Sequence, residues 1–220
     1  MADLATPAKI VCVGLNYHDH ATETGQEVPE WPLLFAKWPN TIIASGEEIV
    51  IPAASRRVDY EGELGLVIGK QARGVAEADA YDYVSGYFVA NDVSARDVQH
   101  KDKQWVRGKS FDTFLPIGDV VPADSVEDPQ DLPIRTILNG QTVQESNTSD
   151  MIFDIRKIVA FVTEAITLEP GDLILTGTPA GVGAFRDPRI WLGDGDEITV
   201  EVDGVGSVTN PVRSANGAGA

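Results

Sequence analysis

Residues 58–69 read Val-Asp-Tyr-Glu-Gly-Glu-Leu-Gly-Leu-Val-Ile-Gly. From Leu64 to Ile68, every second residue is a large aliphatic one, which is the spacing of one face of a β-strand. The opposite face carries Glu61 and Glu63. Side chains two residues apart on a strand leave the backbone roughly 7 Å apart, so both carboxylates can reach one point above the sheet. The stretch therefore predicts a strand that is apolar on one side and doubly acidic on the other.

Two interpretations of this acidic pair remain open at this point. Like charges so close repel each other, and one carboxyl takes up a proton unless positive charge lies between them. A bound cation would supply that charge. The pair could equally be a solvated strand face, because the chain carries 34 Asp and Glu against 17 Lys and Arg. A third ligand is needed to favour the cation.

Length and composition favour one β-rich domain. The chain has 220 residues and is 43% hydrophobic, enough to fill a single large core. Its 21 Gly and 13 Pro indicate many turns, which suits strands better than a helical bundle. We expect an α+β, predominantly β fold over residues 1–220, with a core from about 9 to 212 and a disordered tail at 213–220.

Charge and hydropathy exclude several classes of function. A net charge of −17 disfavours nucleic acid as a partner, although it permits a small anionic substrate held by local cations. Such a surface would also suit a high-salt interior. We find no apolar run near the ~20 residues of a membrane span, and residues 1–6 lack the pattern of a secretory signal, so we expect a cytoplasmic protein without membrane contact. Cys12 is the only cysteine, which excludes an internal disulfide.

A short helix is predicted after the first strand. Residues 9–14 are predicted to form a short buried strand that ends at Gly14, and residues 16–25 can form one or two helical turns with Asn16 as N-cap. His20 and Glu23 are then three positions apart on one face. A carboxylate that fixes an imidazole is a common arrangement of a general base. A surface histidine beside an acid is the alternative. The segment 25–31 that follows is polar and contains proline, so the helix could belong to a mobile lid around residues 17–31.

A second long strand supplies the third acid. Residues 83–92 end in Asp92, and this strand should pair close to the first. Three carboxylates with water and substrate oxygens suit octahedral Mg²⁺ or Mn²⁺. Arg96 and Gln99 follow on a turn into a helix, at positions beside Asp92. Lys109 lies between Gly108 and an aromatic-rich run, where a lysine is expected to point inward.

Local turn and helix signals complete the expected elements. We predict hairpins around 45–46, 139–140 and 203–204, a helix over 152–166 opened by residues 149–150, and a buried strand at 173–175 that enters a Thr-Gly-Thr-Pro loop. That loop matches neither nucleotide fingerprint.

Five segments in this order resemble the fumarylacetoacetate hydrolase family, in particular its small single-domain members. They are residues 13–17 with His20 and Glu23, residues 59–64, residues 91–97, residues 108–112 and residues 175–183. Each is weak alone, but together they span almost the whole chain. The resemblance implies a mixed β-sandwich roll with a few short helices.

The resemblance also implies roles for individual residues. Glu61, Glu63 and Asp92 would ligate Mg²⁺ or Mn²⁺. His20 and Glu23 would activate water, and Lys109 would place positive charge at the reacting oxygen. The expected substrate contacts are Arg96, Gln99 and Thr178. Larger relatives carry a fourth acidic ligand where this chain has Val13, so the match is to the three-carboxylate subgroup, and the insertion at 27–38 leaves specificity open.

Three reactions on a small 2-oxo acid fit these residues. Hydrolysis of an acylpyruvate such as fumarylpyruvate or acetylpyruvate is favoured, because the His20–Glu23 pair can activate water. Decarboxylation of oxaloacetate and isomerisation of a 2-hydroxymuconate-type diacid are the alternatives on the same scaffold. A carboxylate-binding or structural β protein is the non-enzymatic alternative. The resemblance further implies a homodimer.

Overall fold

The computed structural model describes residues 6–215. Within them lie fifteen strands: β1 (Ile10–Gly14), β2 (Leu33–Lys37), β3 (Ile42–Ala44), β4 (Ile49–Ile51), β5 (Val58–Asp59), β6 (Gly62–Ile68), β7 (Val84–Asn91), β8 (Ser94–Ala95), β9 (Leu115–Ile117), β10 (Val121–Pro122), β11 (Pro133–Leu138), β12 (Gln141–Asn147), β13 (Leu173–Leu175), β14 (Glu197–Val202) and β15 (Gly206–Ser214). The α-helices in the same residues are α1 (His18–Thr24), α2 (Arg96–Asp102), α3 (Trp105–Lys109) and α4 (Ile155–Ala165). Short 3₁₀ turns occupy Pro39–Thr41, Glu77–Tyr83, Ala123–Ser125, Thr148–Asp150 and Gly183–Phe185.

The strands form two main sheets, which confirms the predicted α+β, predominantly β class. The larger sheet has eight strands in the order β2-β1-β13-β6-β7-β9-β3, with β10 paired to β7. The second has five in the order β12-β11-β14-β15-β4. A two-stranded ladder joins β5 to β8. Parallel pairs such as β1 with β13 and β4 with β15 mix with antiparallel ones, so each sheet contains pairs of strands that are distant in sequence.

The main core lies between the two sheets and under α4. Leu64 and Leu66 of β6 share one buried cluster with Val200 of β14 and Ile158 of α4. Burying such side chains stabilises the fold by about 1.5–3 kcal/mol each. Cys12 belongs to a further cluster on the opposite face of the larger sheet and is fully buried. The alternation predicted for residues 64–68 is therefore confirmed.

The predicted single strand over 58–69 is in fact two. Residues of β5 pair with β8, whereas β6 pairs with β7, so the chain changes partners between Asp59 and Gly62. Tyr60 and Glu61 lie in this break. The break matters for the site because Glu61 precedes β6, whereas Glu63 belongs to it.

The hairpin predicted around residues 45–46 is wrong. A turn exists there, with the Glu47 amide donating to Ala44 O at 3.2 Å. However, β3 pairs in parallel with β9 in the larger sheet, and β4 pairs in parallel with β15 in the second. The turn therefore carries the chain from one sheet to the other. Partners so distant in sequence leave no local signal.

Two predicted helix starts are also corrected. The N-cap of α1 is Tyr17, because the Asn16 side chain donates to Phe153 O (3.0 Å) and Thr176 O (2.8 Å) and accepts from the Phe153 amide. Helix α4 begins after Asp154, whose carboxylate accepts from the Lys157 amide at 2.7 Å. Residues 149–150 form a 3₁₀ turn instead. Fully buried, Asn16 ties the first loop to two later segments.

The other local predictions agree with the structure. Strands β11 and β12 form the predicted hairpin, with Asn139 and Gly140 at φ of 51° and 77°, the left-handed pair of a tight turn. Strands β14 and β15 form the last hairpin. Strand β15 continues to Ser214, further than the sequence predicts, and the rest of the predicted tail (216–220) lies outside the described residues. None of the helices in residues 6–215 has the length and apolar character to span a bilayer.

Candidate active site

Three predicted metal ligands meet where β6 begins and β7 ends. The register pairs Gly62 with Asn91, and the Asp92 amide donates to Glu61 O at 2.8 Å. One carboxylate oxygen from each of Glu61, Glu63 and Asp92 lies within 4.8 Å of the other two. All three side chains are buried. Antiparallel pairing of the two predicted strands thus brings the acids together, and the solvated-face interpretation of Glu61 and Glu63 is wrong.

Two buried cations and one partly buried cation contact two of the three carboxylates. The Lys109 ammonium donates to Glu61 Oε2 (2.6 Å) and to Asp92 Oδ2 (2.7 Å), and only 2% of Lys109 is exposed, which confirms that it points inward. The Arg96 guanidinium donates to Glu61 Oε1 (2.5 Å) and Asp59 Oδ1 (2.6 Å). Lys37 donates to Asp92 Oδ1 at 2.6 Å. Within the described residues, no cationic side chain contacts Glu63.

This arrangement of charges shifts the pKa values of Glu61 and Glu63 in opposite directions. Burial alone would raise the pKa of Glu61, but the charges of Lys109 and Arg96 outweigh burial and lower the pKa to about 2. Burial raises the pKa of Glu63, and the negative charges of Asp92 and Glu61 raise it further. The charge of Lys109 and the N–H of Gly177, which donates to Glu63 at 2.7 Å, oppose this rise only in part. Among the three carboxylates, Glu63 is thus the one without an ion-pair partner in the described residues.

An oxygen-ligating divalent cation fits this site. The three side chains offer only carboxylate oxygens, the donors that Mg²⁺ and Mn²⁺ prefer. A divalent charge among them would remove the repulsion that raises the pKa of Glu63. Val13, where the larger relatives implied a fourth acid, lies in β1 and is almost fully buried. The donor set is therefore the three carboxylates.

Sequence analysis missed Lys37, a residue of the segment 27–38 that was treated as variable. Lys37 is the last residue of β2, which lies at the edge of the larger sheet and pairs with β1. Its ammonium also donates to Val93 O (3.3 Å) and to Lys109 O. Burial lowers the pKa of Lys37, although Asp92 opposes the change. The available signal was a lysine within an apolar run, the same signal that pointed to Lys109.

Removing this buried cation should destabilise the fold. We expect Lys37→Met to lower the free energy of unfolding by about 3–5 kcal/mol, because it leaves Asp92 buried beside Lys109 alone. Urea unfolding of the metal-free protein measures this. Lys101→Met, at an exposed position of α2, is the matched control and should change the value by less than about 0.5 kcal/mol. Equal effects of the two substitutions would contradict the structural role of Lys37.

The predicted pair of His20 and Glu23 forms on α1. His20 Nδ1 and Glu23 Oε2 are 2.9 Å apart, and the other Glu23 oxygen accepts the Gly181 N–H at 2.8 Å. The Phe185 ring packs edge-on against His20 at 5.7 Å. Only 7% of His20 is exposed, so its interpretation as a surface histidine is wrong. Because Nδ1 faces the carboxylate, Nε2 is the ring nitrogen left to act as a base.

The predicted substrate contacts line the same cavity. Its volume is about 740 Å³, and Arg96, Gln99 and Thr178 all contribute to its wall with His20 and Lys109. Gln99 Oε1 accepts from Arg96 Nη1 at 3.2 Å. The cavity thus faces both the carboxylate cluster and the candidate base.

Thr178 has less freedom to bind a ligand than predicted. Its hydroxyl donates to Gly62 O and accepts from Gln144 Nε2, both at 2.9 Å. Since its only proton is used, the hydroxyl can meet a ligand only as an acceptor. Gln144 also accepts from the Gly62 amide at 2.9 Å, which ties the second sheet to the start of β6. A glutamine within a strand carried no sequence signal for this role.

The part of the predicted lid that follows α1 is irregular in structure. Residues 25–31 connect α1 to β2, and Val28 and Trp31 are each more than half exposed. Trp31 stacks on Phe161 of α4, with ring centroids 6.4 Å apart. This contact fixes the end of the segment next to β2. Motion of the segment remains a prediction.

Fold and site together define an enzyme whose buried carboxylates lie beside a lysine and a histidine–glutamate pair. Residues 9–213 match the family model described as fumarylacetoacetate (FAA) hydrolase C-terminal. The chain belongs to the fumarylacetoacetate hydrolase family, as the sequence motifs predicted. The homodimer implied by the same resemblance remains a prediction.

Relatives of known name lie close in sequence and structure. The mitochondrial oxaloacetate tautomerase fahd2 of Xenopus laevis is 46% identical over 215 residues, which cover 96% of this chain and 67% of that protein. The crystal structure of 5-carboxymethyl-2-hydroxymuconate delta-isomerase from Mycobacterium smegmatis has 44% identity and a TM-score of 0.85, covering 95% of this chain and 80% of that one. The structure of fumarylacetoacetate hydrolase from Exiguobacterium antarcticum has 39% identity and a TM-score of 0.87. The match covers 95% of this chain and 76% of that one.

Proposed function

We propose that this protein uses Mg²⁺ or Mn²⁺ and interconverts the keto and enol forms of a small 2-oxo acid, with oxaloacetate as the first candidate. The observation that carries the proposal is the opening of one cavity onto His20, Lys109 and Glu61 of the carboxylate cluster. Proton transfer next to a carbonyl needs a base and a positive charge at the carbonyl oxygen. Similarity to the Xenopus laevis tautomerase supports oxaloacetate in particular.

Each step is assigned to a residue of the chain. Glu61, Glu63 and Asp92 would hold the cation, which when bound supplies Lewis-acid stabilisation of negative charge on the 2-oxo acid. His20 Nε2 removes the proton from the carbon next to the keto group. Lys109 faces the oxygen on which negative charge develops. His20 then delivers the proton to that oxygen, so one C–H bond breaks, one O–H bond forms, and no oxidant is needed.

Hydrolysis of an acylpyruvate is the second candidate, and sequence analysis favoured it. The same His20 and Glu23 could draw a proton from water instead of carbon. The resulting hydroxide would attack the distal carbonyl, and cleavage of the C–C bond would release pyruvate enolate and a carboxylic acid. Similarity to the Exiguobacterium antarcticum hydrolase supports this candidate. The names of the other two relatives support tautomerisation or isomerisation, which is why we place it first.

Removal of the metal tests the proposal. We expect protein treated with EDTA and desalted to lose at least about a hundredfold in the rate of oxaloacetate enol decay, and added Mg²⁺ or Mn²⁺ to restore the rate. Ultraviolet absorbance of the enol follows the reaction, and the protein-free rate with the same metal is subtracted.

Parallel assays separate the other reactions. Acetylpyruvate and fumarylpyruvate report hydrolysis, pyruvate release from oxaloacetate reports decarboxylation, and a 2-hydroxymuconate-type diacid reports isomerisation. Full activity after EDTA would contradict the metal assignment. Inactivity on every substrate with metal present would favour the non-enzymatic carboxylate-binding protein.

A further inference from the structure

The charge of the cavity is opposite to that of the protein. Five of the 17 Lys and Arg residues line it, compared with only two of the 34 Asp and Glu residues, Glu61 and Asp97. Both acids already have partners: Glu61 binds Arg96 and Lys109, and Asp97 accepts from the Ser55 hydroxyl at 2.6 Å. The side chains that line the cavity therefore carry more positive than negative charge, although the chain carries a net charge of −17.

The five cations form two groups. Arg96 and Lys109 contact the buried carboxylates. Arg57, Lys103 and Arg189 are exposed, and their side chains make no hydrogen bond or ion pair within residues 6–215. Acids outnumber bases two to one in this chain, so three cations that line the same cavity without an acidic partner call for an explanation.

Backbone contacts hold the outer cations around the cavity. Arg57 O accepts the Arg96 N–H at 2.8 Å, which anchors Arg57 at the start of α2. The Leu192 N–H donates to Val58 O at 2.8 Å, so the loop carrying Arg189 runs against the segment carrying Arg57. Lys103 ends the same helix in a left-handed conformation, with φ of 62°. Both ends of α2 thus present a cation to the cavity.

We propose that Arg57, Lys103 and Arg189 form a distal anion subsite that selects 2-oxo acids carrying a second carboxylate. The inference rests on the proposed function, in which the 2-oxo acid end of the substrate lies at the carboxylate cluster. The cavity, at about 740 Å³, has room for a diacid longer than oxaloacetate. Trp105 and Trp191 contribute apolar wall that a carbon chain between the two carboxylates can contact.

Pairs of ligands that differ only in distal charge test the subsite. The probes are oxaloacetate, 2-oxoglutarate and 2-oxoadipate, each compared with its distal methyl ester in the presence of Mg²⁺. Quenching of the fluorescence of the cavity tryptophans reports binding without requiring turnover. We expect at least one diacid to bind about tenfold more tightly than its ester.

Single substitutions test which of the three cations produces the preference for the diacid. Arg57→Met, Lys103→Met and Arg189→Met should each lower the diacid preference by about two- to fivefold, and the triple variant should abolish it. Exposed neighbours that do not line the cavity provide matched controls. Arg56→Met is the control for Arg57→Met, and Lys101→Met is the control for Lys103→Met. Direct contact predicts a faster dissociation rate for the diacid in the variants.

The outcomes separate the subsite from the function on which it rests. Equal binding of every acid and its ester, or a preference that persists in the triple variant, would overturn the subsite alone. A change confined to the association rate would also overturn it, because the cations would then only steer ligands toward the cavity. Failure of all six ligands to bind would overturn the proposed function together with the subsite.

Discussion

Lys109→Met should lower the rate of enolisation by about 10²–10³-fold, the usual loss when one group that stabilises developing negative charge is removed. The same change should leave Mg²⁺ affinity unchanged or make it higher. The Lys109 ammonium donates to Glu61 Oε2 and Asp92 Oδ2, which are oxygens of two proposed ligands. Without this competitor, both oxygens become available to the ion. Initial rates and calorimetric Mg²⁺ titration measure the two effects separately.

The free energy of unfolding of Lys109→Met should also depend on the metal. Without metal, Lys109→Met leaves like charges buried together and should destabilise the fold by about 3–5 kcal/mol. Mg²⁺ should therefore stabilise this variant against urea more than it stabilises the unchanged protein. Lys101→Met is the control for all three measurements. If Lys109→Met lost metal affinity in parallel with turnover, Lys109 would be a structural support of the site and its charge would have no separate part in the reaction.

The predictions that succeeded depend on patterns contained within one strand or turn. Alternation over residues 64–68 placed Glu63 opposite the core side, and Asp92 was recognised because an acid closes an apolar strand. The three-residue spacing of His20 and Glu23 predicted a contact that the structure contains. In each case the backbone geometry of a single element fixes which side chains share a face.

The predictions that failed concern strands and side chains whose contacts are with residues far away in the sequence. Residues 42–51 look like a hairpin locally, yet their two strands pair in parallel with β9 and β15. Asn16 looks like a helix cap, yet it binds backbone groups of residues 153 and 176. Lys37 and Gln144 reach the site only because the sheets bring β2 and β12 beside it. Tertiary contacts override such local preferences, and one sequence carries no measure of them.

His20→Ala should lower turnover by about 10²–10⁴-fold while Mg²⁺ affinity stays the same. His20 supplies the free ring nitrogen beside the cavity, whereas the three carboxylates that would bind the ion are untouched. Initial rates with saturating Mg²⁺ and calorimetric titration of the metal check both parts. His18→Ala is the matched control, because His18 lies two residues earlier on the same helix and is exposed.

The same variant separates the two candidate reactions. If His20 transfers a proton at carbon, His20→Ala should lose oxaloacetate tautomerisation. If it acts only on water, tautomerisation should survive and acylpyruvate hydrolysis should disappear. Glu23→Gln keeps a hydrogen-bond acceptor for Nδ1 but removes the charge, so we expect a smaller loss of about 10–100-fold in the reaction that depends on His20. Retention of both activities in His20→Ala would remove the histidine from the mechanism and leave Lys109 and the carboxylate cluster as its only reacting groups.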